Sequence, residues 1–160
     1  MKIKNKEYSL KKLERMFADD FSTPTFPLLA ELYFKSSQFD KAKKVCQIGL
    51  SYKPTNDIAQ YVLSKIYLIE DNYIEAEKLL KKIINNNPSN FKALLLYITV
   101  AKTLNRNMNV QAEYIKKAYR IDPDNKNLSV LYDKLNIKNT KKRHAKTKKT
   151  KITKTKSFLN

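Results

Sequence analysis

The sequence predicts an all-α chain: an α-solenoid of about three helix-turn-helix repeats, closed by a C-terminal capping helix. Two observations carry this expectation. Three Pro-x-Asn triplets, Pro54-Thr55-Asn56, Pro88-Ser89-Asn90 and Pro123-Asp124-Asn125, follow one another at steps of 34 and 35 residues. A fixed period of that length marks a repeat array, in which no single unit buries its own apolar face. Proline cannot continue a helix, so each triplet reads as a stop. The Asn two residues later is a good N-cap, accepting from a free N–H of the next helix. The second observation is that the chain of 160 residues holds one glycine, Gly49. Phosphate loops, dinucleotide fingerprints and tight two-residue hairpins need backbone freedom that glycine supplies, so none of them can be built here. Asn, Asp and Ser are left to make the turns.

Each element follows from local spacing. Leu10, Leu13, Met16 and Phe17 keep helical intervals behind Ser9, a plausible cap, which predicts a short leading helix. Pro24 and Pro27 belong in or before a first helical turn, and Phe26, Leu29, Ala30 and Tyr33 then recur at i, i+3, i+4 and i+7. After Ser36-Ser37-Gln38 comes a second helix with Phe39, Ala42, Val45, Cys46, Gly49 and Leu50, ended by Pro54. The next unit repeats the plan: Ala59, Val62, Leu63, Ile66 and Tyr67, the turn Glu70-Asp71-Asn72, then Tyr73, Ala76, Leu79, Leu80 and Ile83. In the third, Phe91 to about Leu104 is apolar nearly all round, which predicts burial on two sides. The turn from Asn105 to Asn109 holds one inserted residue, accounting for the step of 35, and Gln111 falls where the other units have alanine. Leu128, Val130, Leu131, Leu135 and Ile137 predict the helix that covers the open end of the stack. The expected organisation is an arm with a short helix at 1–22 and an array at 23–137. Its repeats fall at about 23–56, 57–90 and 91–125, with the capping helix at about 126–137. A disordered Lys-rich tail follows at 138–160.

The net charge of +18 is uneven: residues 138–160 carry ten basic and no acidic side chains. The tail residues Lys141, Lys142, Arg143, Lys146, Lys148 and Lys149 could bind nucleic acid or another anionic surface by counterion release. Equally, 29 of the 33 basic residues are Lys, a usage that coding bias toward AT-rich codons also produces. The tail lacks interleaved aromatic residues that would stack on bases. No signal peptide is visible, and the longest strongly apolar stretch, Ala93 to Ala101, falls short of the roughly 20 residues a bilayer needs. These readings predict a cytoplasmic protein without a transmembrane segment.

A 34-residue helix-turn-helix period with these residues resembles the tetratricopeptide repeat family over roughly residues 23–137. Phe26, Leu29, Ala30, Tyr33, Ala42, Gly49 and Pro54 occupy the family's signature places in the first unit, and Leu63, Ser64, Tyr67, Ala76 and Pro88 do so in the second. Ile98, Ala118 and Pro123 remain in the third, which lacks the family's tyrosine late in its first helix. The resemblance implies a right-handed superhelix whose first helices line a concave face, and a non-enzymatic role in binding a peptide or protein partner there. The implied groove residues are Pro27, Glu31 and Phe34; Ile58, Tyr61, Lys65 and Leu68; and Lys92, Leu95, Thr99 and Lys102. Such a surface suits an extended or helical peptide with apolar anchors and some acidic character. Packing under the leading helix, or self-association, is the competing reading. The family's chaperone-tail binders grip a terminal carboxylate with Lys, Asn and Arg side chains. Here Pro27, Glu31, Val62 and Leu96 stand in several of those places and only Lys92 matches, so that subclass is rejected.

Catalysis, metals and cofactors find no support. The only histidine, His144, lies in the tail, where no scaffold orients it. The single cysteine, Cys46, sits on a packed helix face as a small core residue and excludes an internal disulfide or a multi-cysteine metal site. The acidic pairs Asp19-Asp20, Glu70-Asp71 and Glu75/Glu77 read as helix-end residues favouring the positive end of the helix dipole.

Overall fold

The computed structural model describes residues 9–135, and within them the chain is helical with no strand. The helices are α1 (Leu10–Asp19), α2 (Phe26–Lys35), α3 (Phe39–Tyr52), α4 (Asp57–Ile69), α5 (Tyr73–Asn86), α6 (Phe91–Thr103) and α7 (Met108–Ile121). Residues 126–135 form a further helix, α8. The expected Lys-rich tail and His144 lie outside the described residues.

All three triplet asparagines cap as their position predicts. The Asn56 side chain accepts from the Ala59 N–H at 2.9 Å, Asn90 from Ala93 at 3.1 Å, and Asn125 from Leu128 at 3.3 Å. Each satisfies one of the N–H groups that the first turn leaves without an intrahelical partner. Gln60 adds a clasp by donating its side-chain amide to the Pro54 carbonyl. The mutation Asn56→Ala is therefore expected to cost about 1 kcal/mol of stability, read as a lowered urea midpoint with the helical circular-dichroism signal retained in water.

The turns inside the helical pairs share one geometry. Ser37, Asp71 and Asn105, each 34 residues from the last, take the left-handed region with φ of 59°, 57° and 50°. The following N–H reaches back to the carbonyl five residues earlier each time: Gln38 to Tyr33, Asn72 to Tyr67, Arg106 to Ala101. That is the Schellman closure, built without glycine on residues two of which tolerate αL through short polar side chains. Gln38 and Asn72 both close one helix and stand at the N-cap of the next, where Asn72 accepts from the Glu75 N–H at 3.4 Å and the Gln38 side chain makes no capping bond. In the third turn those duties split between Arg106 and Asn107, which is the inserted residue.

The chain divides into two compact units, residues 1–106 and 107–160. In the first, α2 packs on α3 and α4 on α5 as antiparallel pairs. Further contacts join α3 to α4, α5 to α6, α2 to α4, and α1 to α2. Leu13 and Phe17 of α1 enter the same buried cluster as Phe26, Leu29, Ala30, Tyr33, Val45, Val62 and Ile66, and Tyr33 donates its hydroxyl to Glu14. Small residues let the helices close: Ala42, Ala59 and Ala76 are fully buried. The apolar α6 behaves as its composition predicts, burying Ala93, Leu94, Tyr97, Ile98, Val100 and Ala101. Its tyrosine stands one turn earlier than Tyr33 and Tyr67 do, at the position of Leu29 and Leu63. In the second unit α7 buries Gln111, Ile115 and Ala118, α8 buries Leu128 and Leu135, and the Tyr119 and Tyr132 rings stack at 4.3 Å, 8° from parallel.

Glu75 stands in the first turn of α5, as the dipole reading expects, but the other acidic residues correct that reading. Asp19 and Asp20 stand at the C-terminal end of α1, where Asp20 accepts from the backbone N–H and the hydroxyl of Ser22 at 2.8 and 2.7 Å. Glu70 caps the C-terminus of α4 and pairs with Lys43 of α3 at 2.6 Å. Glu77 is 4% exposed, one turn beyond the helix start. It accepts from Arg106 at 3.2 and 2.6 Å, from the Tyr97 hydroxyl at 3.3 Å, and pairs with Lys81 at 3.1 Å. It ties α5 to α6 and to the turn that follows. A charge with three donors is neutralised there, not aligned with a dipole.

Candidate functional site

Within the first unit, α2, α4 and the start of α6 enclose an open groove of about 540 Å³, lined by Glu31, Asp57, Ile58, Tyr61, Val62, Lys65, Asn90 and Lys92. No residue of α1 lines it; α1 lies against α2, so these residues are not packed under the leading helix.

The groove opens toward the N-terminal ends of α4 and α6, and this decides which expected residues it includes. Glu31, Ile58, Tyr61, Lys65 and Lys92 line it. Pro27 does not, because it is buried at the start of α2 and offers no surface. Phe34 is half-buried and packs on Phe39, with ring centroids 5.4 Å apart. Leu68 and Leu95 are partly exposed, Thr99 and Lys102 exposed. All four lie further along their helices than the lining, and Thr99 donates its hydroxyl to the Leu95 carbonyl at 3.1 Å. Asp57, Val62 and Asn90 are lining residues that periodicity along the first helices passed over. The signal that finds them is the Pro-x-Asn triplet itself, since it fixes where α4 and α6 begin.

Lys65 dominates the electrostatics. Its Nζ stands 4.0 Å above the Phe34 ring centroid and 5.3 Å from that of Tyr61, an arrangement in which the ring quadrupoles hold the cation. Burial pushes its pKa below the ordinary lysine value. The Glu31 carboxylate opposes this, while Lys35 and Lys92 reinforce it. Glu31 is itself paired with Lys35 at 3.2 Å, and among the described residues Lys65 makes no salt bridge. Opposite in sign, Asp57 holds one buried carboxylate oxygen with no hydrogen-bond partner. Ile58 is 57% exposed, an aliphatic surface beside these charges. The groove can thus accept an acidic group at Lys65 and Lys92, a donor at Asp57, and an apolar side chain on Ile58 and Tyr61.

The other reactive groups are quiet. Cys46 is fully buried, and burial pushes its thiol up to about 12 against a smaller opposing pull from the nearby Lys65 charge. A thiol so placed is no nucleophile. Among the described residues no group of three or more His, Cys, Asp or Glu could hold a metal ion, and no helix is long and apolar enough to cross a membrane.

Comparison with known proteins places this architecture in a class. The family model for the tetratricopeptide repeat matches residues 58–90, which cover α4 from its second residue, α5 and the second triplet. The chain carries a tetratricopeptide repeat and takes the α-solenoid fold of proteins built from such repeats. Among solved structures it is similar to YrrB, described as a TPR protein with an unusual peptide-binding site, with a TM-score of 0.69 at 14% identity. That likeness covers 78% of this chain and 64% of YrrB, so the chain spans less than two thirds of that relative. MamA is similar at a TM-score of 0.65 and 18% identity, covering 87% of this chain and 89% of MamA. The first TPR of Spaghetti (RPAP3), bound to an HSP90 peptide SRMEEVD, is similar at 0.61 and 16% identity, covering 72% of this chain and 91% of that one. A search of curated proteins gave no significant sequence match.

Proposed function

We propose that this chain is a non-enzymatic interaction module that holds a peptide or protein segment in the groove between α2, α4 and α6. The observation that carries the reading is Lys65. Its cation is partly withdrawn from water onto Phe34 and Tyr61, has no salt-bridge partner among the described residues, and lines the open groove of about 540 Å³. An acidic side chain of the partner supplies the missing counter-charge, and Ile58 and Tyr61 supply the apolar anchor beside it. Support also comes from the solved relatives, two of which are described with a peptide-binding site or a bound peptide. The terminal-carboxylate grip stays excluded, because Val62 and Glu31 occupy places where that grip needs donors.

The test is selection from a displayed peptide library against the full chain, with binders re-measured on Lys65→Glu and Tyr61→Ala. Selected peptides are expected to pair an acidic residue with a neighbouring apolar one. The Lys65→Glu variant should weaken them by about tenfold or more, since charge complementarity becomes repulsion. Binders that ignore both substitutions would place recognition elsewhere on the chain.

A further inference from the structure

We propose that the cleft between α7 and α8 is a contact point for single-stranded nucleic acid, at which one phosphate and one base are held. The cleft shares no lining residue with the groove and does not rest on the peptide reading. The cleft has a volume of about 330 Å³ and is lined by Lys116, Tyr119, Arg120, Pro123 and Tyr132. That is the lower end of small-ligand pockets, room for about one nucleotide.

Its chemistry is the combination that unpaired nucleic acid needs. Lys116 and Arg120 stand one helical turn apart on α7, both exposed, and neither makes a salt bridge among the described residues. Their neighbour Lys117 is by contrast held by Glu113 at 2.8 Å. The acidic side chains of the same unit stay out of the lining. Glu113 is engaged by Lys117, Asp122 accepts from the Asn125 amide at 3.3 Å, and Asp124 and Asp133 do not line the cleft. Tyr119 and Tyr132, parallel at 4.3 Å, form a ready aromatic plate whose ordering cost folding has already met. A base stacks on such a plate only when unpaired, which selects single strands over duplex.

The sequence beyond the cleft completes the case. Residues 138–160 carry ten basic and no acidic side chains, and their one aromatic residue is Phe158. That composition gives counterion-release affinity but no stacking. The cleft, formed by residues earlier in the chain, supplies the aromatic surface the basic segment lacks. A flat anionic bilayer would meet the basic segment equally well, but it has no group to enter a recess lined by stacked tyrosines. The aromatic lining therefore favours nucleic acid.

The experiment uses the full chain and a fluorescein-labelled 12-nucleotide oligouridine, followed by anisotropy between about 50 and 200 mM salt. Wild-type protein is expected to bind with affinity falling steeply with salt. Lys116→Ala with Arg120→Ala should weaken binding by about tenfold and reduce the log–log salt slope by about 0.7, the loss of one phosphate contact. Lys117→Ala removes the same charge per residue from the same helix, yet should change affinity less than twofold. A Tyr132→Leu variant should weaken oligouridine binding while leaving the salt slope unchanged; its circular-dichroism spectrum and melting curve verify that α8 stays folded. Duplex of equal length should bind more weakly than the single strand. Equal losses in the Lys117 variant and the double variant would overturn the proposal, by reducing the cleft to bulk charge. Binding confined to vesicles containing phosphatidylserine, with oligouridine ignored, would overturn it too.

Discussion

Alanine at Phe26 is expected to destabilise the fold by about 3–5 kcal/mol, the range for removing a fully buried aromatic ring. Phe26 has no exposed surface and sits where α2 crosses α3. Its ring lies over Gly49 so closely that a Cβ there would stand 2.1 Å from Cδ2 and 2.4 Å from Cε2. Gly49 is in the last turn of α3 and does not take a positive φ, so the glycine is required by close approach and not by backbone conformation. Alanine would favour the helix by up to about 1 kcal/mol, but the clash with an immobile buried ring should cost about 1–3 kcal/mol. Destabilisation is the expected net result for Gly49→Ala alone. The decisive measurement is the double variant in urea unfolding. With the ring gone, the added methyl partly fills the void, so Phe26→Ala with Gly49→Ala should be more stable than the sum of the single losses by at least about 0.5 kcal/mol. Additive losses would mean that the ring and the glycine answer to different neighbours.

The same pair shows how much of the fold was legible. Repeat period, caps and core all depend on short-range rules, and those rules are written in residue types. Proline stops a helix wherever it falls, Asn56, Asn90 and Asn125 cap because of their position in the triplet, and an apolar stripe identifies the face that must be covered. Even the inserted residue in the third turn was visible, as a step of 35 instead of 34, and it resolves into separate closing and capping residues, Arg106 and Asn107. The groove was only half legible. Periodicity says which residues share a side of a helix but not how far along that helix a neighbour's end lies. Glu31, Ile58, Tyr61, Lys65 and Lys92 were found for the first reason. Phe34, Leu68, Leu95, Thr99 and Lys102 fall outside the lining for the second, and Pro27 is buried by its packing at the start of α2.

Glu77 was illegible for a third reason: its partners come from 20 and 29 residues away, and no local pattern distinguishes a carboxylate that will be buried from one that caps a helix. Its consequence is large. Replacing it with glutamine keeps the shape but removes the charge that Arg106 and Lys81 surround, and should cost about 1–2 kcal/mol at neutral pH, less than for a fully buried pair because both cations left behind are partly in water. Burial pushes the Glu77 pKa upward, yet the hydrogen bonds from Arg106 and Lys81, with their charges, outweigh it and leave the value below the ordinary 4.5. A carboxylate whose folded value is depressed adds stability above the unfolded value and loses it as pH falls through the folded one. Wild-type stability should therefore hold down to about pH 4.5 and then decline, while Glu77→Gln starts lower and lacks this part of the decline. The two curves should converge in acid. Arg106→Ala gives the reverse signature: with Lys81 left as the one counter-charge, the Glu77 value rises from its wild-type level, and acid unfolding begins at a higher pH than in the wild type. Parallel curves for wild type and Glu77→Gln across the acid range would show that the side chain acts by packing alone, with its charge already relieved by water.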